Sequence, residues 1–354
     1  KLDALNNKKI GLAIVKADSY GLGSKVIADY LYKNGVRHLA TATLEEAIEL
    51  KDVIKDSMVL VLGVTNPQNV KYAVENNVSL TCPSKEWLEE SLVQLQQIEG
   101  KLKIHVKIDT GMGRIGTSDL EELKEIDNLL DSEKIDFEGI FSHYSNADGD
   151  DDNYDNYQTE NFENTLNVFT HKPKYIHIEN SAGTVKYSDR EDCYNLSRIG
   201  IALYGCYPSG NIEKLDKVQL EPVASLISKV SHVKKFQEGQ KLGYGVSYEA
   251  KQDEYIATVP IGYADGLLRR AQGFKIKVGS EECEIVGRVC MDQLMVRCSE
   301  NVKVGDDVLF FGEYNGQKVS VDEFAEYQNT ISYEIFCCIN KRVPRVYYKN
   351  KMEL

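Results

Sequence analysis

Short β-branched apolar runs alternate with amphipathic polar stretches up to about residue 205, and this alternation limits the possible folds more than any other feature of the chain. The runs fall at residues 10–15, 38–42, 59–64, 79–81, 103–108, 139–142, 175–178 and 199–203. Between them, residues 24–34, 43–51, 84–97, 119–130 and 157–169 read as helices. Eight strands separated by helical stretches predict an α/β fold, a (β/α)8 TIM-type barrel. After about residue 215 the period changes. Alternating runs punctuated by glycine take over at residues 225–233, 256–259, 274–277, 284–289, 294–296 and 307–310, with one helix near 321–327. The expected organisation is a barrel over residues 1–215 followed by a mostly-β domain over residues 216–354.

Composition narrows the partner. The 354 residues can bury a sizeable core, and no apolar run reaches the ~18 residues that a membrane span needs. With 55 Asp and Glu against 42 Lys and Arg and no basic cluster, neither nucleic acid nor an anionic membrane is the expected partner; a small molecule is. Eight scattered cysteines with no CxxC pair read as reduced, buried structural thiols, and the chain carries no signal peptide, so a cytoplasmic location is expected. It opens at Lys1 without a methionine, so some N-terminal sequence is expected to be missing. The acidic stretch at residues 148–155 lacks the ligand order of an EF-hand, which predicts a solvated loop and no metal.

A (β/α)8 barrel builds its active site at the C-terminal ends of its strands, so the polar residues after each apolar run are the candidates. The first run ends in Val15-Lys16-Ala17-Asp18-Ser19-Tyr20-Gly21, which sets a lysine at the barrel mouth. Partial desolvation there suits an amine to imine formation; snorkelling to the rim is the plain alternative. The fifth run ends in Lys107-Ile108-Asp109-Thr110-Gly111-Met112-Gly113-Arg114, the sixth in Ser142-His143 and the seventh in His177-Ile178-Glu179-Asn180-Ser181. Arg198 stands at the start of the eighth, before Gly200 and Ile201. The turns at Asn180-Ser181-Ala182-Gly183 and Arg198-Ile199-Gly200-Ile201 offer backbone N–H groups and a hydroxyl that suit a phosphate, although either alone is also an ordinary glycine turn. In the second domain, glycines on both sides of Tyr244 predict an exposed phenol, and Gly262-Tyr263-Ala264-Asp265-Gly266 and Cys290-Met291-Asp292 interrupt the strand pattern.

Taken in order, these segments resemble the alanine racemase family, fold-type III enzymes that use pyridoxal 5′-phosphate (PLP). The resemblance runs from Ile14 to Arg345, and Val15-Lys16-Ala17-Asp18-Ser19-Tyr20-Gly21 is similar to the family's PLP-lysine signature. Ala42-Thr43-Leu44-Glu45-Glu46-Ala47, Asp109 to Arg114, Asn180-Ser181-Ala182, Ile331-Ser332-Tyr333-Glu334 and Arg342-Val343-Pro344-Arg345 fall in the family's sequence. The resemblance implies an isomerase that interconverts L-alanine and D-alanine by a two-base mechanism, supplying D-alanine for cell-wall peptidoglycan.

By that resemblance Lys16 carries the cofactor covalently and is one base on the Cα proton, with Tyr244 the other. Racemisation demands bases on opposite faces, since one removes the proton and the other delivers one to the far side. Tyr20, Ser181, Gly200, Ile201 and Tyr333 hold the phosphate, and Asn180 is a further cofactor contact. Arg198 faces the pyridine nitrogen; a guanidinium that cannot release its proton restrains the electron sink and favours fidelity over speed. His177 supports Arg198, and His143 shares its network. The substrate carboxylate meets Arg114 and the Met291 N–H, with Tyr263 and Asp292 also in the substrate site. Lys107 matches a position carbamylated in many members, where the carbamate orients the arginine. Tyr244, Tyr263, Met291 and Asp292 come from the β domain opposite a partner's barrel, so the resemblance implies a homodimer with shared active sites.

The sequence departs from the family pattern at Asp18, Ile199, Glu179 and Leu22, where Asn, Pro, Ala and His are usual. These changes bear on pocket size and electrostatics and remove no catalytic group. The strand that usually precedes the lysine signature is absent, so the β domain is expected to lack one strand. Three other functions match parts of the pattern. A racemase of serine or of a broad range uses the same groups, because one hydroxyl changes discrimination by only about 1–3 kcal/mol. A PLP-binding homeostasis protein would lack residues 216–354. A barrel decarboxylase would bring a catalytic cysteine motif and a glutamate where Arg198 stands.

Overall fold

The computed structural model describes residues 9–349 together with Met352 and Glu353. They form two compact units: the described residues through Ser19 with Gly23–Leu220, and Tyr20–Leu22 with the chain from Glu221 onward. Among the described residues no helix is long and apolar enough to cross a membrane.

The first unit contains eight parallel strands: β1 (Ile10–Ile14), β2 (His38–Thr41), β3 (Met58–Val61), β4 (Ser79–Cys82), β5 (Leu102–Lys107), β6 (Ile135–Phe141), β7 (Tyr175–His177) and β8 (Leu196–Ile199). They pair in the order β7-β6-β5-β4-β3-β2-β1-β8, a near-closed barrel. Across the remaining seam Asn195 donates its N–H to the Ile176 carbonyl at 3.1 Å and accepts the Ile176 N–H on its side chain at 2.9 Å. Helices α1 (Ser24–Lys33), α2 (Leu44–Lys51), α3 (Val70–Glu75), α4 (Lys85–Leu95), α5 (Leu120–Leu129), α6 (Asn153–Leu166), α7 (Ser181–Lys186) and α8 (Gly210–Lys214) follow the strands in turn. Their starts are written in the sequence: Thr43, Ser84 and Asp119 each accept an N–H from the first turn of α2, α4 and α5. Leu39, Val59, Leu80 and Ile104 from the strands bury against Leu50, Leu88, Leu123 and Phe162 of the helices, each large side chain contributing about 1.5–3 kcal/mol.

Three sequence expectations need correction here. The eighth strand was expected over residues 199–203, but β8 ends at Ile199 and Ile201–Tyr204 is a 3-10 turn. Gly200, at φ −95° and ψ −105°, turns the chain out of the strand, and the apolar run packs around that turn. Arg198 therefore lies inside the strand and buried, not at its start. The acidic stretch at 148–155 is only partly a solvated loop: α6 begins at Asn153, ahead of the expected 157, and Asp155 is fully buried. The Tyr187 hydroxyl donates to Asp155 at 2.6 Å and the Lys186 ammonium lies 3.5 Å away, which is how a buried carboxylate is tolerated. The cysteines are not uniformly buried. Cys82, Cys206 and Cys283 are, whereas Cys193 and Cys337 are exposed.

In the second unit the strands are antiparallel: β9 (Leu226–Lys229), β10 (His232–Phe236), β11 (Lys241–Leu242), β12 (Tyr248–Glu249), β13 (Glu254–Val259), β14 (Lys275–Val278), β15 (Glu281–Val286), β16 (Leu294–Cys298), β17 (Asp307–Tyr314) and β18 (Gln317–Val319). The main sheet runs β10-β13-β16-β15-β14-β17-β18, with β9 on β17. The single run expected at 225–233 is thus two strands with different partners. Its alternation continues through Val230 and Ser231, where the backbone changes allegiance from Asp306 to Thr258, so the sequence pattern shows no break. Helices α9 (Val321–Tyr327) and α10 (Ser332–Cys338) complete the unit. The expected missing strand concerns sequence ahead of the described residues.

Gly266 makes a stability prediction. Its φ is +108°, and a Cβ there would lie 2.1 Å from the Cys338 carbonyl oxygen. Gly266→Ala is expected to destabilise this unit by at least about 1–3 kcal/mol from backbone strain alone, read as a lower urea midpoint; an unchanged midpoint contradicts the reading.

Candidate active site

Lys16 lies two residues past the end of β1 and is half-buried, at the head of an unusual turn. Ala17, Asp18, Ser19 and Tyr20 all have positive φ, between 53° and 57°. A left-handed L-residue costs about 1–2 kcal/mol, so four in a row need external support. Glu46 supplies part of it. Its carboxylate accepts the N–H of Ala17 and the N–H of Ala42, both at 2.8 Å, while Asp18 accepts the Ser24 N–H at 2.7 Å. Strain held in this way beside a lysine marks a functional position. Glu46 was visible in the sequence only as part of a motif, without a role.

Arg198 is 3% exposed and makes four hydrogen bonds, all to neutral acceptors. It donates to His177 Nδ1 at 2.8 Å, to the Ser142 and Ile178 carbonyls at 2.8 Å each, and to His143 Nδ1 at 2.9 Å. Burial pushes this guanidinium down to about 9, which still leaves it a cation at neutral pH. Burial, then the Arg198 charge, pushes His143 and His177 well below the usual imidazole value, so both are neutral. The charges of Arg114, Lys107 and Lys16 act on His143 in the same direction. Four basic side chains, Arg198, Arg114, Lys107 and Lys16, therefore act on one mouth of the barrel.

Lys107 ends β5, is buried, and donates to the Ile108 carbonyl. Burial first and Arg198 second push its amine down to about 7. Beyond it, Asp109 accepts the N–H groups of Gly111 and Gly113 at 3.0 Å each, shaping the loop that carries the exposed Arg114. Asn180 caps α7 by accepting the Gly183 N–H at 3.0 Å. Ser181 Oγ accepts the Gly200 N–H at 2.8 Å, which joins the start of α7 to the loop carrying Ile201. Asn180, Ser181, Gly200 and Ile201 are thus brought together.

The remaining candidates lie in the second unit. Tyr20 and Tyr333 meet with ring centroids 5.9 Å apart. Tyr244 is 69% exposed on a short 3-10 turn between Gly243 and Gly245, both at positive φ. The Tyr263 N–H donates to the Cys290 carbonyl at 3.0 Å and the Ala264 N–H to the Met291 carbonyl at 2.9 Å, so those two turns lie side by side. Tyr263 and Met291 are exposed, and Asp292 pairs with Arg342 at 2.7 Å.

A parallel barrel whose mouth gathers four basic side chains, continued by an antiparallel domain, matches two family models in succession: the alanine racemase N-terminal domain over residues 3–208 and the C-terminal domain over residues 223–347. These define the class as a two-domain racemase. An alanine racemase of Staphylococcus carnosus is 41% identical over 99% of this chain and 91% of its own length. The crystal structure of the Bacillus anthracis alanine racemase with bound L-Ala-P aligns at TM-score 0.92 and 36% identity, covering 100% of this chain and 95% of that one. A histidine racemase from Leuconostoc mesenteroides aligns at TM-score 0.86 and 27% identity, covering 96% and 91%. The chain belongs to the alanine racemase family.

That family depends on PLP. The residues present fit it: Lys16 offers an amine, Ser181 and the Gly200–Ile201 loop offer a hydroxyl and backbone donors, and the cations at the barrel mouth call for an anionic ligand.

Proposed function

We propose that this chain is a cytoplasmic alanine racemase, interconverting L-alanine and D-alanine and supplying D-alanine for peptidoglycan. The observation that carries this reading is the neutral-acceptor clamp on Arg198 among the cations at the barrel mouth. Lys16 would hold PLP, which when bound would supply the electron sink that makes the substrate Cα proton removable. Arg198 donates toward the ring nitrogen without surrendering its proton. Ser181, Gly200, Ile201, Asn180, Tyr20 and Tyr333 hold the cofactor. Arg114 takes the substrate carboxylate in a bidentate fork beside the Met291 N–H, with Tyr263 and Asp292 lining the substrate site. Lys16 moves the proton on one face and Tyr244 on the other. Residues 1–215 of one protomer and Tyr244, Tyr263, Met291 and Asp292 from residues 216–354 of its partner make each site, in a homodimer.

The test is Cα-proton exchange in deuterated water with PLP, offering L- and D-alanine and L- and D-serine separately. Exchange with inversion from both alanine enantiomers supports the reading, and faster serine turnover would reassign the substrate. A bound cofactor without exchange, or release of carbon dioxide, overturns it.

Lys107 adds a second expected result. An amine near pKa 7 is roughly half neutral at neutral pH, so its lone pair can attack carbon dioxide and release a proton to form a carbamate. Protein equilibrated with 13C-bicarbonate is expected to give a carbamate carbon resonance that Lys107→Ala lacks. The variant is expected to raise the KM for alanine about tenfold, the size of one charge-assisted hydrogen bond to the Arg114 fork. A spectrum without that resonance refutes the modification.

A further inference from the structure

Behind Arg198 a second set of polar side chains crosses the barrel interior. His177 Nε2 lies 2.9 Å from His105 Nδ1, and His105 Nε2 lies 3.3 Å from Glu138 Oε2, on which the Ser79 hydroxyl also donates. The residues come from five strands, β4 to β8, and every one is buried. Aromatic rings fix the imidazoles from the side: Phe141 stacks on His177 at 4.9 Å and 5°, and Tyr175 on His105 at 6.0 Å and 13°. Gly139 makes the room. A Cβ there would lie 2.2 Å from His105 Nδ1.

The direction of every bond follows from the donors. Arginine only donates, so His177 Nδ1 must accept, and a neutral His177 then carries its proton on Nε2. That proton points at His105 Nδ1, which must accept in turn, leaving the His105 proton on Nε2 toward Glu138. Burial works to raise the Glu138 carboxyl, but His105, by hydrogen bond and by charge, then the Ser79 hydrogen bond and the Lys103 ammonium at 4.0 Å outweigh it and hold it low, as an anion. The chain therefore has one polarity from cation to anion. Aligned bonds of this kind polarise one another.

We propose that Glu138, through His105, is a positioning residue for Arg198: the remote anionic end of a one-way chain whose direction Arg198 sets, anchoring the His105 ring and so the orientation and basicity of the His177 acceptor that holds the guanidinium. The hydrogen-bond acceptors of Arg198 are all uncharged; the Glu179 carboxylate acts on it through charge alone, and Glu138 is linked to it through the two imidazoles, which leaves its remaining edge for the cofactor. This deepens the racemase reading and rests on it for its effect on turnover. The tautomers themselves do not depend on that reading.

The experiment is long-range 1H–15N correlation on 15N-histidine-labelled, PLP-loaded protein, in the wild type, Glu138→Gln and Glu138→Leu, with alanine kinetics alongside. The wild type is expected to show His177, His105 and His143 each protonated on Nε2 alone. Glu138→Gln keeps an acceptor oxygen and is expected to keep those tautomers. Glu138→Leu removes the acceptor and is expected to leave the His177 proton on Nε2, where Arg198 sets it, while shifting the 15N resonances of His105 and of the accepting His177 Nδ1 and losing about tenfold in kcat with little change in KM, the low end of what outer partners of functional imidazoles contribute. A wild-type His177 protonated on Nδ1, an imidazolium within the chain, or unshifted imidazole resonances with wild-type kcat in Glu138→Leu overturns the proposal. Should Glu138→Leu not fold, Glu138→Gln still decides it, because it keeps the acceptor and loses the charge: a lower kcat at unchanged tautomers supports the proposal, and a wild-type kcat overturns it. Wild-type protein with these tautomers but no alanine turnover would sink the racemase reading and leave the chain standing.

Discussion

Lys16→Ala is expected to remove the visible absorbance of covalently held PLP and to lower racemisation of alanine from both enantiomers by at least about 10³-fold. Two functions disappear with one amine. In the proposed mechanism the side chain is the covalent anchor of the cofactor and also the base on one face of Cα, a role that alone contributes about 10²- to 10⁴-fold. Racemisation in either direction needs that base, once as acceptor and once as donor, so neither direction can survive. The turn that follows Lys16 is held by Glu46 and Asp18 through backbone N–H groups, none of which belongs to the lysine side chain, so the fold is expected to persist. Far-UV circular dichroism matching the wild type, with the absorbance gone, is the expected pair of readings. An unchanged cofactor band would remove Lys16 from its assignment.

How legible each feature is in the sequence depends on the kind of signal its residues leave. The barrel was legible because eight apolar runs and the helix caps at Thr43, Ser84 and Asp119 are local features that the fold obeys. The end of β8 was not, because Ile199, Ile201, Ala202 and Leu203 are equally apolar in a strand and around a buried 3-10 turn; Gly200 was the only mark of the change. The split of residues 225–233 into β9 and β10 was hidden for a similar reason, since alternation records which face is buried and not which strand lies alongside.

The site shows the same division. Lys16 stands just past a strand end and Tyr244 between two glycines, where a polar residue is conspicuous, and Arg198 lies inside β8 but two residues ahead of the marked Gly200. His105 and Glu138 sit inside strands, where a single polar residue between apolar neighbours reads as an outward-facing position. Only the barrel's closure turns both inward and brings them within 3.3 Å of each other. Glu46 presents a third case: an ordinary acidic residue in the first turn of α2 whose carboxylate happens to reach two backbone N–H groups, one of them 29 positions away. Nothing in the chain order marks such a pairing, because it depends on how far two strand ends lie apart in space.

Tyr244→Phe is expected to separate the two faces of the reaction. The ring stays and only the hydroxyl is lost, at a side chain 69% exposed on its own unit, so stability is expected to move by no more than about 0.5 kcal/mol. The cofactor band is expected to remain, because Tyr244 takes no part in anchoring PLP. With L-alanine, exchange of the Cα proton is expected to fall by about 10²- to 10⁴-fold, the contribution of a positioned acid–base group. D-alanine behaves differently: Lys16 can still remove its proton, so solvent deuterium is expected to enter D-alanine with retention while inversion stops. That asymmetry is the decisive reading, since a variant that merely disturbed substrate binding would slow both enantiomers together and raise the KM for each. Normal turnover of L-alanine would end the assignment of Tyr244 as a base, and equal loss of exchange from both enantiomers would show that the two faces are not served by separate groups.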